Sequence, residues 1–195
     1  MPKISAATVP EHRAQQRAAL VRAAVDILAE QSAAAVTPAA VAARAGLARS
    51  SFYQYFTSSA SLLAAIVEET FTTADAAMSQ ALDAETDPRA RIEAFIRTEL
   101  DLAAQGVHRP AAALMRADLP GECRDRVHEL HQVHYAPLLT AVADLSPVDP
   151  ELTAQLFGGL LQAAMTAVER GADPEQVATR ALNLIHRGLE GEPRA

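Results

Sequence analysis

Two groups of residues in this chain have types and spacings suited to chemistry. In "VHELHQVHY", residues 127–135, His128, His131 and His134 recur every three positions. On a helix that spacing spreads them over about a third of the circumference. Imidazoles together with the thiol of Cys123, or with Glu129 and His108, have the donor types for a zinc- or nickel-like ion, and they titrate near neutral pH. Helical metal ligands sit better at i, i+4, a spacing absent among these three. The reading adopted is therefore no metal, with His131, His134 and Tyr135 as polar contacts for an organic ligand. The second group is "ARSSFYQYF", residues 48–56. Phe52, Tyr53, Tyr55 and Phe56 are half of an aromatic supply of five Phe and three Tyr, and they adjoin Arg49, Ser50 and Ser51. Guanidinium and hydroxyl groups on a rigid short element suit contact with a polyanion.

Other chemistry is not encoded in recognisable form. No Gly-rich phosphate loop, Gly-x-Ser-x-Gly elbow or His-Glu-x-x-His motif occurs, so no enzyme and no cofactor are expected. The single cysteine precludes an intrachain disulfide and a Cys-rich zinc site. The net charge is −7, yet residues 1–60 hold six basic side chains (Lys3, Arg13, Arg17, Arg22, Arg44, Arg49) against Glu11, Asp26 and Glu30. A mildly basic head on an acidic body fits a protein of which one part faces a polyanion. The N-terminus lacks the apolar core of a signal peptide, and no apolar run is long enough to span a bilayer, so a cytoplasmic protein without membrane contact is expected.

The elements that must position these residues read as helices throughout. Half of the 195 residues are hydrophobic and alanine is by far the commonest, which favours helix. An acceptor side chain followed by Pro recurs at Thr37-Pro38, Asp87-Pro88, Asp149-Pro150 and Asp173-Pro174, the signature of a helix start. Gly46, Gly106 and Gly171 follow helical runs and suit helix stops. Helices are predicted at 11–31, 38–45, 49–56, 60–81, 88–105, 110–117, 120–144, 150–170 and 174–189, an all-α chain of about nine helices. Leu20, Ala24, Ile27 and Leu28 share one face of the first; Leu62, Leu63, Ile66, Val67 and Phe71 share one face of the fourth. The short second and third helices, joined through Gly46, read as a helix-turn-helix, with Phe52 and Phe56 turned into its core at i, i+4.

The stretch "TPAAVAARAGLARSSFYQYFTSSASLLAAI" resembles the DNA-binding domain of TetR-type transcriptional regulators, and the match covers about residues 13–65. The resemblance implies a three-helix helix-turn-helix DNA-binding domain at 1–59 and a helical effector-binding and dimerisation domain at 60–195. Thr37 would cap the second helix and touch phosphate. Arg49, Ser50 and Ser51 would approach base edges; Tyr53 and Tyr55 would offer hydroxyls to phosphates, assisted by Gln54. Three positions depart from the family pattern. Its recognition-helix cap is Ala48 here, and its Lys-Glu pair is Ser59-Ala60, so Ser59 brings no charge to the phosphate. One lost phosphate ion pair flattens the salt dependence of binding by about one unit of slope.

For the body, the resemblance implies a homodimer formed by the last two helices, with Leu156, Leu160, Ala164, Val168, Val177, Ala181, Leu184 and Ile185 as interface candidates. It also implies an effector pocket, for which the candidates are Phe95, Leu102, Leu114, Met115, Leu119, Leu138 and Phe157 besides His131, His134 and Tyr135. The function so implied is a repressor that binds pseudo-palindromic double-stranded operator DNA and is released by a small-molecule effector. The alternative is a helical small-molecule or metal sensor whose head has weakened or lost DNA binding.

Overall fold

Helix starts fall where an acceptor side chain precedes proline. In the computed structural model, which describes residues 9–115, 121–145 and 149–190, the Thr37 hydroxyl accepts from the Ala40 N–H at 3.2 Å. Asp87, Asp149 and Asp173 do the same for the N–H groups of Ala90, Leu152 and Gln176 at 2.9, 3.0 and 2.8 Å. Each satisfies a donor that the first turn of a helix leaves free, while Pro at the first helical position has no N–H to satisfy. Among the described residues the elements are α1 (Val9–Glu30), a 3-10 turn (Ala33–Ala35), α2 (Pro38–Arg44), α3 (Arg49–Phe52), α4 (Ser59–Leu82), α5 (Pro88–Ala104), α6 (Arg109–Met115), α7 (Gly121–Asp144), α8 (Pro150–Glu169) and α9 (Pro174–Glu190). The expected all-α fold is therefore what forms. Lys3 and Leu119 lie outside the described residues, as do the side chains of Met115 and Cys123.

The start of α4 shows a different cap. The Ser61 N–H donates to the Ser58 hydroxyl at 3.1 Å, and the Ser58 N–H donates to the Ser61 hydroxyl at 3.0 Å. This reciprocal pair is a capping box in which serine fills the position usually held by Glu or Gln.

The helix-turn-helix differs from expectation in one respect. A helix over 49–56 is predicted, but α3 ends at Phe52. The Phe52 carbonyl then accepts from both the Tyr55 and Phe56 N–H groups at 3.0 Å, which closes the helix. At its other end Ala48 has no side-chain acceptor, so α3 starts uncapped.

By packing, the described residues form two compact units. The first draws on Met1–Glu69 and Pro110–Val127, the second on Thr70–Arg109 and His128–Ala195. In the first, α1 packs on α2 and α2 on α3, and Leu20, Ala24, Ile27, Val41, Ala42, Phe52 and Phe56 are all buried. Gly46 sits between α2 and α3 at φ +70°, a left-handed conformation that glycine adopts without the Cβ penalty. In the second, α5, α8 and α9 pack on one another. Their core contains Ile92, Phe95, Ile96 and Leu100 from α5, Phe157, Leu161 and Met165 from α8, and Ala178, Leu182 and Ile185 from α9; Met78 of α4 and Leu138 of α7 join it.

Candidate functional site

The helix-turn-helix presents an exposed polar edge held by a buried aromatic pair. Phe52 and Phe56 are fully packed, with ring centroids 5.8 Å apart. With those two anchored, Arg49, Ser50 and Gln54 point outward and Tyr53 is 50% exposed; Ser51 is half-buried. Thr37 is exposed at the start of α2, and Ser59 is half-buried in the first turn of α4.

Tyr55 is placed differently from Tyr53. It is half-buried, and its hydroxyl donates to Gln16 Oε1 of α1 at 2.6 Å. Its proton is thereby engaged within the head, so a phosphate contact would require that bond to be exchanged. The Arg13 guanidinium lies 5.8 Å from the Tyr55 ring centroid and the Arg17 guanidinium 5.4 Å from that of Phe56. Arg17 is also paired with Glu69, and Arg44 with Glu30 at 2.5 Å, so two of the head's cations have internal anionic partners. Gln16 gave no sequence signal, because its partner lies 39 residues away.

In the second unit, one buried histidine bridges three helices. His134 of α7 lies with Nδ1 2.5 Å from an Asp75 carboxylate oxygen on α4 and Nε2 2.8 Å from Glu99 Oε1 on α5. An imidazolium, which donates from both ring nitrogens, is the form of His134 that suits two carboxylate acceptors. Burial works against that charge, but the hydrogen bonds and field of Glu99 and Asp75 outweigh it and raise the His134 pKa above its ordinary value. Glu99 is 1% exposed, and its other oxygen faces His108 Nε2 at 3.4 Å without a well-formed hydrogen bond. Burial lowers the pKa of His108, only partly opposed by Glu99; burial and the His134 charge lower that of His131. Burial and the Glu99 carboxylate raise the Tyr135 pKa, which keeps it a neutral phenol.

Glu99 and Asp75 were not anticipated, although Glu99 carries a signal. It falls three, four and seven residues after Ile96, Phe95 and Ile92, on an otherwise apolar helix face. His128 is exposed and His131 half-buried, whereas His134 is 3% exposed and bonded at both ring nitrogens. Among the described residues, no group of three or more His, Cys, Asp or Glu side chains is arranged to hold a metal ion.

Beside this cluster α7 and α8 enclose a half-open cavity of about 640 Å³. Leu138, Leu139, Ala143, Ala154 and Gly158 form its apolar walls. His131 and Tyr135, stacked at 4.4 Å with planes 17° apart, also line it, together with Glu151, Gln155 and Gln162.

Residues 20–66 match the family model described as bacterial regulatory proteins, tetR family. The chain has a TetR-family DNA-binding domain. Solved structures extend the likeness of fold along most of the chain. That of SCO4454, a TetR-family transcriptional regulator from Streptomyces coelicolor, has a TM-score of 0.75 at 20% identity, over 94% of this chain and 95% of its own. AibR in complex with isovaleryl coenzyme A and operator DNA gives 0.75 at 18%, over 87% and 97%. Superantigen PfiT gives 0.73 at 24%, over 91% and 97%. No curated protein sequence matches.

The second unit and the helices beside it distribute the sequence candidates unevenly. Of those for the pocket, His131, Tyr135 and Leu138 line the cavity. Phe95 packs against the His134 and Tyr135 rings at 6.0 and 5.5 Å, and Leu102 and Phe157 are buried. Leu114 is buried and belongs to the first unit, and Leu119 lies outside the described residues. Of the interface candidates, Ala164, Val168, Ala181 and Ile185 are buried in the chain's own core, because α8 and α9 turn those faces toward α5 and each other. Leu160 and Val177 are half-buried against that core, whereas Leu156 and Leu184 are 65% and 61% exposed. No described helix is long and apolar enough to cross a membrane.

Proposed function

We propose that this TetR-family chain is a transcriptional repressor that binds a pseudo-palindromic operator as a homodimer and leaves it when a small molecule binds the body. The observation that carries the reading is the exposed edge of Arg49, Ser50, Tyr53 and Gln54 held up by buried Phe52 and Phe56. A short element in this position enters the major groove, where Arg pairs bidentately with guanine. A dimer places two such edges about one DNA turn apart. The exposed Leu156 and Leu184 are the surface on which we place that dimer contact. AibR, which shares the fold, has been seen with isovaleryl coenzyme A and operator DNA together.

Release follows if the effector binds the DNA-incompetent state more tightly. The element we assign to this coupling is α4, an unbroken helix from Ser59 to Leu82 that carries Asp75, the carboxylate bonded to His134. The second reading, a sensor with a weakened head, draws on the missing cap at Ala48 and the uncharged Ser59.

Binding to the DNA upstream of the chain's own reading frame, measured across a salt series, tests the proposal. Specific affinity of about 10 nM or tighter is expected, falling steeply with salt. Arg49→Ala and Tyr53→Phe should weaken it by about 1–3 and 1 kcal/mol with the melting temperature unchanged. Tyr55→Phe should instead lower the melting temperature, because it breaks the bond to Gln16. A folded dimer that fails to bind this DNA even at low salt would overturn the repressor reading in favour of the sensor.

A further inference from the structure

The cavity between α7 and α8 carries information about the charge of its occupant. Its walls are apolar, and among the described residues lining it there is neither Arg nor Lys. The one acidic side chain among those described residues is Glu151, at the start of α8. The remaining polar groups, Gln155, Gln162 and the Tyr135 phenol, are neutral, and His131 is held toward its neutral form by burial and by the imidazolium of His134. An anionic head group brought here loses water, gains no cation and faces Glu151, all of which are unfavourable. An apolar ring system loses only its hydration, and the flat His131–Tyr135 stack lies at its side.

We infer that this cavity binds a non-anionic apolar ring compound and discriminates against carboxylates, sulfonates and phosphate-bearing acyl carriers. Calling such a compound the effector rests on the regulator reading above; its binding does not. The selectivity separates this chain from AibR, whose bound ligand is a coenzyme A thioester.

Two positions make the inference testable without disturbing the core. A Cβ built at Gly158 meets no atom within 4 Å, so a side chain there grows into open space, and a non-glycine residue also favours the helix. Leu139 lines the cavity and is 45% exposed, so a charge at that position stays hydrated.

Two probes share one ring system: N-phenyl-1-naphthylamine is neutral, and 8-anilinonaphthalene-1-sulfonate adds a negative charge. Fluorescence titration of the full chain without DNA should show the neutral dye bound at least about tenfold more tightly, a difference of about 1.4 kcal/mol. Gly158→Phe, or Gly158→Leu if the larger ring impairs folding, should weaken the neutral dye by about tenfold or more with helicity unchanged. Glu151→Gln should narrow the gap between the dyes, and Leu139→Arg should reverse it. Equal or tighter binding of the sulfonate by the native chain overturns the inference. So does a Gly158→Phe chain that keeps its dye affinity but loses self-association, which would make the cavity a contact between copies. Because DNA is absent, failure of operator binding leaves these results intact, and the reverse also holds.

Discussion

Removing the His134 imidazolium leaves two carboxylates, one of them 1% exposed, with no cation between them. Breaking a buried pair in this way costs about 3–5 kcal/mol, so His134→Asn should shift the urea midpoint by that free energy. Glu99→Gln in the same chain should restore part of it. The same histidines set opposing pH limbs. His134 has a folded pKa raised above 6.5, so its contribution is complete below the unfolded value and is lost as pH rises through the folded one. His108 and His131 have folded values lowered from 6.5, so theirs is complete above the unfolded value and is lost as pH falls. Melting temperature followed from pH 5 to 9 should decline on both sides, and His134→Asn should remove the decline at high pH arising from this group. At this scale the sequence made Phe52 and Phe56 legible, because i, i+4 aromatics beside polar neighbours have one inward face. It did not disclose that His134 meets Asp75 and Glu99, since a spacing of three says nothing about what lies opposite the helix.

Elements were read more completely than their contents. Acceptor-proline pairs mark four helix starts, and Gly46, Gly106 and Gly171 have φ of 70°, 77° and 98° at helix ends, as their sequence positions suggest. A Cβ at Gly46 would meet nothing within 4 Å, so its cost is purely one of backbone conformation. Gly46→Ala should therefore destabilise the chain by about 1–2 kcal/mol, read from chemical denaturation, without a packing defect. The length of α3 escaped sequence reading because it depends on one carbonyl, that of Phe52, serving two N–H groups, a choice made by the tertiary position of the ring. The cap of α4 has no proline to mark it; there Ser58 and Ser61 cap each other reciprocally.

For the whole molecule, the all-helical class and the helix-turn-helix were legible in composition and punctuation, but the partners of each helix were not. Periodicity shows that α8 and α9 have apolar faces; it does not show which residues on them meet α5. Burial of Ala164 and Ile185 inside the chain leaves Leu156 and Leu184 as the exposed apolar residues of these helices among the interface candidates. Leu184→Glu should give a monomer by light scattering, with operator affinity reduced by tenfold or more, roughly the loss of about 1.4 kcal/mol in paired half-site binding. The chain passes between its two units at 69/70, 109/110 and 127/128. Cleavage at any one of these places leaves at least one unit divided between two fragments. A chimaera that exchanges the first unit for another protein's must therefore transplant two separated segments, 1–69 and 110–127; splicing at the end of the helix-turn-helix alone would join the new head to the old unit's second segment.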